Sequence, residues 1–232
     1  MIQSASGVVI VIPAYDEAER IAETVIAALD AGDVSAVVVV DDGSADATGA
    51  RAAAAGAVVV RHDRRRGKGA ALDSGTTAAV ARRAGVLVFL DADLRSSAGE
   101  WPTLAAPVLA GAADISIATL PAQHAPGGGR GRVVRLARAG IRSLTGFEAT
   151  QPLSGQRCLT AAAYEVVRPF SRGFGIEVGM TIDALRGGLR VIEVPVPFFH
   201  RVTGADWRGR RHRARQLTHV ARTLLARRFR PR

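Results

Sequence analysis

Residues 86–95 read VLVFLDADLR, in which five apolar residues are followed at once by two carboxylates separated by one alanine. A short apolar run of this kind is typical of a strand that is covered on both faces of a parallel sheet. Because residues two positions apart at a strand end project to the same side, Asp91 and Asp93 are predicted to converge on one cation. Their hard oxygen atoms suit Mg²⁺ or Mn²⁺, which then grips a diphosphate. The alternative is a helix-capping aspartate beside a solvated one.

Three similar runs come earlier in the chain, and Ala-rich stretches separate all four. Each run is apolar throughout and too short for a helix. The predicted strands are 8–12, 37–40, 58–61 and 86–90. The predicted helices are 18–29, with Ile21, Val25, Ile26 and Leu29 on one face, 45–55 and 70–84. This alternation predicts an α/β domain with a doubly wound, mostly parallel sheet, whose ligands bind beyond the carboxyl ends of the strands.

Length and composition point to one domain with a sizeable core. The chain has 232 residues, of which 48% are hydrophobic. Its one cysteine, Cys158, excludes a disulfide framework and a cysteine zinc cluster. No apolar run approaches the ~18 to 20 residues that span a bilayer. Because no basic residue precedes Arg20, no signal peptide is predicted either, and the expected compartment is the cytoplasm.

The second half of the chain is less periodic than the first. Residues 121–132, PAQHAPGGGRGR, predict a mobile loop. A helix is predicted over 133–144, with arginines on its outer surface at Arg135, Arg138 and Arg142. Residues 193–199, EVPVPFF, are expected to be extended, and their two prolines cannot join a central ladder.

The net charge of +10 is concentrated at the C-terminus. Residues 1–199 contain 20 basic and 20 acidic residues, whereas residues 200–232 contain 11 arginines and one aspartate. Apolar residues recur there at helical spacing, at Leu217, Val220, Ala221, Leu224 and Leu225. This pattern predicts a basic amphipathic helix, which either docks on the protein itself or lies in a lipid interface.

The partner predicted for this tail is an anionic membrane surface, because docking alone does not account for the charge. A solubilising role is the simpler explanation. Nucleic acid is not predicted as a partner, since aromatic residues make up only 5% of the chain and only Trp207 and Phe229 interleave with the arginines of the tail.

Polar motifs follow the three earlier strands as well as the fourth. They are IPAYDE at 12–17, VDDGS at 40–44 and GKGAA at 67–71. In the third motif, glycines permit close backbone approach and Lys68 supplies a point charge. A Walker phosphate loop is excluded, because no Gly-x-x-x-x-Gly-Lys-Ser/Thr sequence occurs. The simpler alternatives are a helix-capping turn at 42–44 and a flexible basic turn at 67–69.

As an ordered set, the four motifs resemble those of the family 2 glycosyltransferases of the GT-A fold. The resemblance is to the branch that acts on dolichol phosphate or polyprenyl phosphate. It covers residues 8–120 and continues more loosely over 151–202. The implied organisation is a GT-A domain at 1–202, with a nucleotide-sugar and metal half at 1–120 and an acceptor half at 121–202, and a basic tail at 203–232.

The resemblance implies a nucleotide-binding role for the strand-end residues. The implied set is Pro13, Tyr15, Glu17, Asp41, Asp42, Lys68 and Asp91. Tyr15 would lie against the base and Glu17 on the ribose hydroxyls. Asp41 and Asp42 would accept hydrogen bonds from the base and the ribose, and Lys68 would approach the phosphates.

The resemblance also implies a metal site that holds Mg²⁺ or Mn²⁺ on Asp91 and Asp93. The family branch often has a glutamine two residues later, where this chain has Arg95, and a guanidinium cannot bind a cation. His200 resembles the C-terminal histidine that completes the site in some GT-A enzymes. The alternative for His200 is a surface histidine beside Arg201.

Two later segments carry the implied acceptor chemistry. Residues 151–157, QPLSGQR, resemble a segment that places an arginine, Arg157, near phosphate. Residues 173–178, GFGIEV, resemble the segment with an active-site glutamate, Glu177. Glu177 would be the general base for an alcohol acceptor, whereas a phosphate acceptor needs no base and Glu177 would only orient arginines. The structural alternative is a salt bridge from Glu177 to Arg157 or Arg172.

The predicted function is metal-dependent, inverting transfer of a hexose from a UDP- or GDP-linked donor to a phosphorylated lipid such as polyprenyl phosphate. Asp93, Glu177 and Arg157 are the predicted catalytic residues, and Arg130 or Arg132 would steer the acceptor. The main alternative is the same donor chemistry on a soluble small molecule, which needs no basic tail. A nucleotidyltransferase normally opens with a Gly-x-Gly-Thr-Arg loop, which PAYDEAE lacks. The enzyme would be cytoplasmic, at the inner membrane face when bound.

Overall fold

Strands and helices alternate through the chain. The computed structural model describes residues 7–121, 131–171, 173–199 and 207–229, with the side chains of the last range from residue 215 onward. The strands are β1 (Val8–Ala14), β2 (Ala36–Asp41), β3 (Val58–Arg61), β4 (Val86–Phe89), β5 (Ile115–Thr119), β6 (Arg157–Thr160) and β7 (Val191–Pro195). The helices are α1 (Ile21–Asp30), α2 (Thr48–Ala54), α3 (Lys68–Ala81), α4 (Trp101–Leu109), α5 (Arg132–Thr145), α6 (Ala161–Val167), α7 (Ile176–Arg186) and α8 (Trp207–Arg228). Short 3₁₀ helices at Arg95–Glu100 and Gly173–Gly175 precede α4 and α7.

The strands form one seven-stranded sheet in the order β3-β2-β1-β4-β6-β5-β7. Strand β1 is parallel to β2 and β4, and in its register Ile10 lies opposite Val37 and Val88. Strand β6 alone among the described strands is antiparallel to its neighbours, β4 and β5. The prediction of a mostly parallel α/β sheet is confirmed, and the four predicted strands correspond to β1–β4.

Both faces of the sheet are covered, because successive residues of each strand point to opposite faces. Ile10 and Ile12 belong to the apolar cluster that packs against α1 and α4. Val9 and Val11 belong to the cluster on the α3 side. A Cβ on Gly75 of α3 would lie 2.4 Å from a methyl of Val11, so glycine is what allows this helix to lie so close to the sheet.

Helix α1 differs from its prediction at its start and in its buried face. It begins at Ile21 rather than at residue 18, because hydrogen bonds hold the preceding turn against the β2–α2 connection. There the backbone nitrogen of Asp16 donates to Ser44 Oγ, and that of Glu17 donates to Thr48 Oγ1. The placement of Ile26 on the apolar face was wrong: its side chain is 49% exposed, whereas Thr24 is buried.

The elements predicted in the second half are present where the structure describes them. The predicted helix at 133–144 corresponds to α5. The first three residues of the predicted extended segment at 193–199 belong to β7 at the edge of the sheet, where Pro195 disrupts no central ladder. The predicted loop falls largely on residues 122–130, which lie outside the described residues.

The C-terminal helix α8 docks on the protein through one of its faces, whereas contact of the helix with a lipid interface stays a prediction. Val220 is fully buried and shares an apolar cluster with Ile141 of α5 and Val178 of α7. Arg227 forms an ion pair with Asp183 of α7. Over the described parts of the chain, every helix is too short or too polar to cross a membrane.

Candidate active site

Three chain segments meet at the carboxyl end of β4. Asp91 follows this strand. Its Oδ1 accepts a hydrogen bond at 2.8 Å from Nζ of Lys68, which is the first residue of α3. Its Oδ2 accepts from Gln156 Nε2 at 2.7 Å, just before the neighbouring strand β6. Gly155 permits this convergence, since a Cβ there would lie 2.5 Å from Lys68 Nζ.

Lys68 lies between two carboxylates. Besides Asp91, its Nζ is 3.3 Å from Oε1 of Glu177, the second residue of α7. Burial on its own would lower the pKa of Lys68, but the charges of Asp91 and Glu177 outweigh it and raise the pKa above its ordinary value. Lys68 therefore stays cationic at neutral pH, at the point where the resemblance expects phosphates.

Glu177 is buried, and among the described residues its ion-pair partner is Lys68 rather than Arg157. Arg172 lies outside the described residues. Arg157 is only 1% exposed; its Nε donates to the carbonyl of Ser154 and its Nη1 to Thr181 Oγ1. Burial lowers the pKa of Arg157 to about 10, against the opposing charge of Glu177. Because Arg157 is buried and bonds to Ser154 and Thr181, its contact with the phosphate of a substrate stays a prediction.

Asp93 and the first strand-end motif share one electrostatic environment. The pKa of Arg20 is raised mainly by its hydrogen bond to Glu17, with a smaller contribution from the charge of Asp93. The side chains of Glu17, from the β1 motif, and Asp93, from the β4 motif, thus act on the same guanidinium. This convergence agrees with the placement of both motifs at the same edge of the sheet.

The chemistry of the two aspartates fits a hard divalent cation. Mg²⁺ is usually bound by one or two carboxylates together with substrate phosphates. Asp91 and Asp93 would supply the carboxylates, and in this structure both oxygens of Asp91 accept hydrogen bonds from nitrogen donors. Among the described residues, which exclude His200, no three His, Cys, Asp or Glu side chains are grouped to hold a metal. Asp91 and Asp93 would therefore hold the cation together with ligands from elsewhere, such as the substrate phosphates.

Arg95 points away from these carboxylates. Its Nη1 donates to Glu23 of α1 at 2.8 Å, and its backbone nitrogen donates to Thr24 Oγ1. Thr24 also donates to the carbonyl of Ala92, so one buried hydroxyl holds both sides of the turn that contains Asp93. The sequence analysis missed Thr24. Its only sequence signal is its spacing, which places its hydroxyl on the same helix face as Ile21 and Ala28.

Asp41 has a structural role in this fold. It is fully buried, its Oδ2 accepts from Arg61 Nη1 at 2.8 Å, and its Oδ1 accepts from the backbone nitrogen of Ser44. The second contact closes a turn over residues 41–44, but this turn does not cap the next helix as the alternative for this motif expected, because α2 begins at Thr48 with Ala47 at its N-cap. A further role of Asp41 toward a base stays a prediction.

Asp42 organises the loop that leads to Lys68. Its Oδ1 lies 2.7 Å from His62 Nδ1 and accepts from the backbone nitrogen of Arg66, and its Oδ2 accepts from that of Gly67. His62 Nε2 lies 2.9 Å from Ser74 Oγ. The sequence analysis did not single out His62, because its contact with Asp42, 20 residues away, can be recognised only once the fold is known.

The remaining candidates are placed as follows. Pro13 lies in β1 opposite Val40. Tyr15 is 36% exposed, and the guanidinium of Arg65 stacks over its ring at 4.0 Å. Arg132 is exposed at the start of α5. His200 and Arg130 lie outside the described residues.

Comparison with known proteins identifies relatives of two kinds. The family Glycosyl transferase family 2 matches residues 9–164. Glucosyl-3-phosphoglycerate synthase of Mycolicibacterium paratuberculosis is 34% identical over 207 residues, which cover 79% of this chain and 61% of that protein. Undecaprenyl-phosphate mannosyltransferase of Micrococcus luteus is 32% identical over 212 residues, which cover 85% of each. The chain thus spans less than two thirds of the length of the first relative.

Solved structures give the same result. Glucosyl-3-phosphoglycerate synthase of Mycobacterium tuberculosis, in complex with Mn²⁺, UDP and phosphoglyceric acid, superposes with a TM-score of 0.78 at 29% identity, covering 98% of this chain and 80% of that one. A complex of the same enzyme with Mn²⁺, UDP-glucose and phosphoglyceric acid also has a TM-score of 0.78. The family match extends from β1 to α6 and includes the strand-end motifs. The resemblance is confirmed: this chain belongs to glycosyl transferase family 2.

Proposed function

We propose that the chain transfers a hexose from a UDP- or GDP-linked donor to a phosphorylated acceptor, with inversion at the anomeric carbon. The observation that carries this proposal is the arrangement of Lys68 between Asp91 and Glu177 at the carboxyl ends of the central strands. The solved relatives that bind Mn²⁺, UDP and a phosphorylated acid support it.

The donor would lie across the strand-end motifs. Asp91 and Asp93, with His200, would hold Mg²⁺ or Mn²⁺, which neutralises a leaving diphosphate when bound. Lys68 would stabilise the negative charge that develops on the same group. The nucleotide would be recognised by residues of the first two strand ends, namely Pro13, Tyr15, Glu17, Asp41 and Asp42. Asp42 keeps acceptor capacity for this, since a carboxylate offers about four lone-pair sites and three are used.

The acceptor chemistry follows from the ion pair of Glu177. A carboxylate that contacts an ammonium is poorly suited to remove a proton from an alcohol, whereas a phosphate oxygen is already an anionic nucleophile. That oxygen would form a bond to the anomeric carbon as the bond to the diphosphate oxygen breaks, and no proton needs to move. Arg132, with Arg130, would steer the phosphate. The positive charge of Arg157 would act on the carboxylate of Glu177.

Two kinds of phosphorylated acceptor are compatible with the relatives: a lipid phosphate, whose oxygen would attack, and a soluble phosphorylated acid. We propose the lipid, because the arginine-rich C-terminal tail gives the chain a means of reaching an anionic membrane surface. The protein would then work at the cytoplasmic face of the membrane. A soluble phosphorylated acid remains the competing acceptor.

The proposed function is tested by incubating the chain with UDP- and GDP-sugars and Mn²⁺ and measuring release of the nucleoside diphosphate. We expect release from one donor, suppression by EDTA, and stimulation by a short water-soluble polyprenyl phosphate more than by 3-phosphoglycerate. Release from none of the donors would contradict the proposal. Stimulation by 3-phosphoglycerate alone would replace the lipid with the soluble acceptor.

The variant Glu177→Gln distinguishes two roles of Glu177, that of a general base and that of an ion-pair partner of Lys68. With a phosphate acceptor, we expect kcat to fall by less than about tenfold, because only an ion pair with Lys68 is lost, whereas loss of a general base costs about 100- to 10,000-fold. Initial rates at saturating donor and acceptor measure the effect. A loss near a thousandfold would identify Glu177 as a base and point to an alcohol acceptor.

His62→Ala is expected to raise the KM of the donor about tenfold and to leave the KM of the acceptor unchanged. His62 fixes Asp42 through a hydrogen bond to a charged group, which contributes roughly 1.5 to 3 kcal/mol. His62→Asn, which keeps a nitrogen donor, is the matched variant and should retain most of the donor affinity. Equal weakening of donor and acceptor by His62→Ala would mean a general structural defect.

A further inference from the structure

Helices α5 and α8 contain twelve arginines and no acidic residue. The two helices pack directly against each other at Gly140, where a Cβ would lie 2.4 Å from a methyl of Leu224. Because Gly140 has no side chain, Leu224 packs directly against the backbone of α5, and the two helices are neighbours on the protein surface. The charge that the sequence concentrates in the tail therefore continues onto α5.

Docking explains only the inner face of α8. That face includes Val220, in the cluster with Ile141, and Arg227, whose guanidinium is neutralised by Asp183. Neither group is available to a partner. Any partner of α8 must therefore bind the opposite face.

The outer face of α8 combines exposed apolar and basic side chains. Leu225 is 55% exposed and Phe229 78% exposed, and residues four apart lie on the same side of a helix. Arg222 and Arg228 are exposed beside them. Large apolar side chains that project outward between arginines are typical of helices that lie in a lipid interface.

The outer face of α5 adds further charge. Arg135 and Arg142 are both exposed and, being seven residues apart, lie on one side of the helix. Arg142 forms an exposed ion pair with Glu148 at 3.3 Å, and such pairs are weak in water. Arg138 instead donates to the carbonyl of Thr150 and is committed to the fold.

We propose that these outer faces form one surface that binds an anionic phospholipid leaflet. The surface, called here the α5–α8 surface, consists of Arg135, Arg142, Arg222, Leu225, Arg228 and Phe229. The leucine and phenylalanine would enter the interface while the arginines contact phosphates. Of the six side chains, a single one is aromatic, so the stacking that single-stranded nucleic acids require is lacking on this surface.

The α5–α8 surface also lies close to the proposed acceptor site, and this part of the inference rests on the proposed function. On the inner side of α8, His219 stacks on Phe174 at 5.7 Å between ring centroids, three residues before Glu177. A leaflet bound to the outer side is therefore separated from that segment by about one helix diameter, roughly 10 to 12 Å. A lipid phosphate would enter the site without leaving the membrane region.

Sedimentation of the full chain with vesicles tests the surface. We expect binding to vesicles of phosphatidylglycerol and phosphatidylcholine but not of phosphatidylcholine alone, with release as salt rises. Each surface arginine should contribute about fivefold to vesicle affinity, so Arg135→Gln with Arg142→Gln should weaken binding roughly 25-fold. The matched control, Arg51→Gln with Arg82→Gln, removes the same charge from exposed positions on α2 and after α3 and should have little effect.

The outcomes separate this inference from the proposed function. Equal weakening by the α5 pair and the control pair, or no weakening by the α5 pair, overturns the surface. Leu225→Ser with unchanged binding overturns the apolar contact, and tighter binding to a DNA duplex than to vesicles replaces the lipid with nucleic acid. Turnover of a short water-soluble polyprenyl phosphate is expected to be unchanged in the α5 variant. If the unmodified chain shows no such turnover, the proposed function fails whatever the vesicles show.

Discussion

Asp93→Ala is expected to lower the transfer rate by about a thousandfold or more without unfolding the protein. The substitution removes a carboxylate from the turn after β4 that would hold the divalent cation. Loss of a cation that neutralises a leaving diphosphate costs several kcal/mol, and each 1.36 kcal/mol is a factor of ten in rate. Initial rates across a Mn²⁺ titration, with the melting temperature measured alongside, give the result.

The matched control for this variant is Arg95→Ala. Arg95 lies two residues further along the same turn, but its side chain binds Glu23 on α1. Its removal should leave the Mn²⁺ dependence as it is. Recovery of full activity by Asp93→Ala at saturating Mn²⁺ would show that Asp93 is not the metal-binding carboxylate. An equal loss in both variants would assign the effect to the turn itself.

Lys68→Met is expected to reduce kcat by roughly a thousandfold. The variant keeps the aliphatic stem but removes the ammonium group that would stabilise negative charge on the leaving diphosphate. Removal of one such donor lowers kcat by about 100- to 1,000-fold in other enzymes. In addition, the carboxylates of Asp91 and Glu177 then face each other without a cation between them. Lys68→Arg keeps the charge and should recover part of the activity, and rates at saturating donor separate this effect from binding.

A result in which Lys68→Met changes only the KM of the donor would contradict the proposed role in the transfer step. The double variant Lys68→Met, Glu177→Gln provides a further check. If like-charge repulsion at the cluster contributes, the double variant should be more stable to heat than Lys68→Met alone. The contribution of Lys68 to stability is expected to be complete below pH 10.5, the ordinary pKa of lysine, and to be lost as pH rises from there through the raised pKa of the folded protein.

The first half of the fold was predictable because its signals are local. Strands β1–β4 contain runs of three to five large apolar residues, so each is identified without knowledge of its neighbours. The start of α1 was not predictable, since Ser44 and Thr48, 28 and 31 residues away, hold the preceding turn. Strand β6, which enters the sheet antiparallel, had no local signal that separates it from a parallel strand.

The candidate site shows the same division. Its main carboxylates and Lys68 were identified from their positions after strands. Their partners were not, because the contacts of Gln156 with Asp91 and of His62 with Asp42 join residues 65 and 20 positions apart. The pairing of Glu177 with Lys68 rather than with an arginine depends on how α7 approaches α3, and no spacing in the sequence specifies that approach.

Lys68 is the only lysine among the 31 basic residues of the chain, so the cluster contains the sole side-chain amine. Reductive methylation with ¹³C-formaldehyde would therefore place one isotopic reporter in the site, besides one at the terminal amine. Amines react when neutral, so the raised pKa of Lys68 should make it the slower of the two. The chemical shift of the labelled dimethylammonium would then register the arrival of a nucleotide diphosphate beside Asp91 and Glu177 directly, in solution, without any turnover.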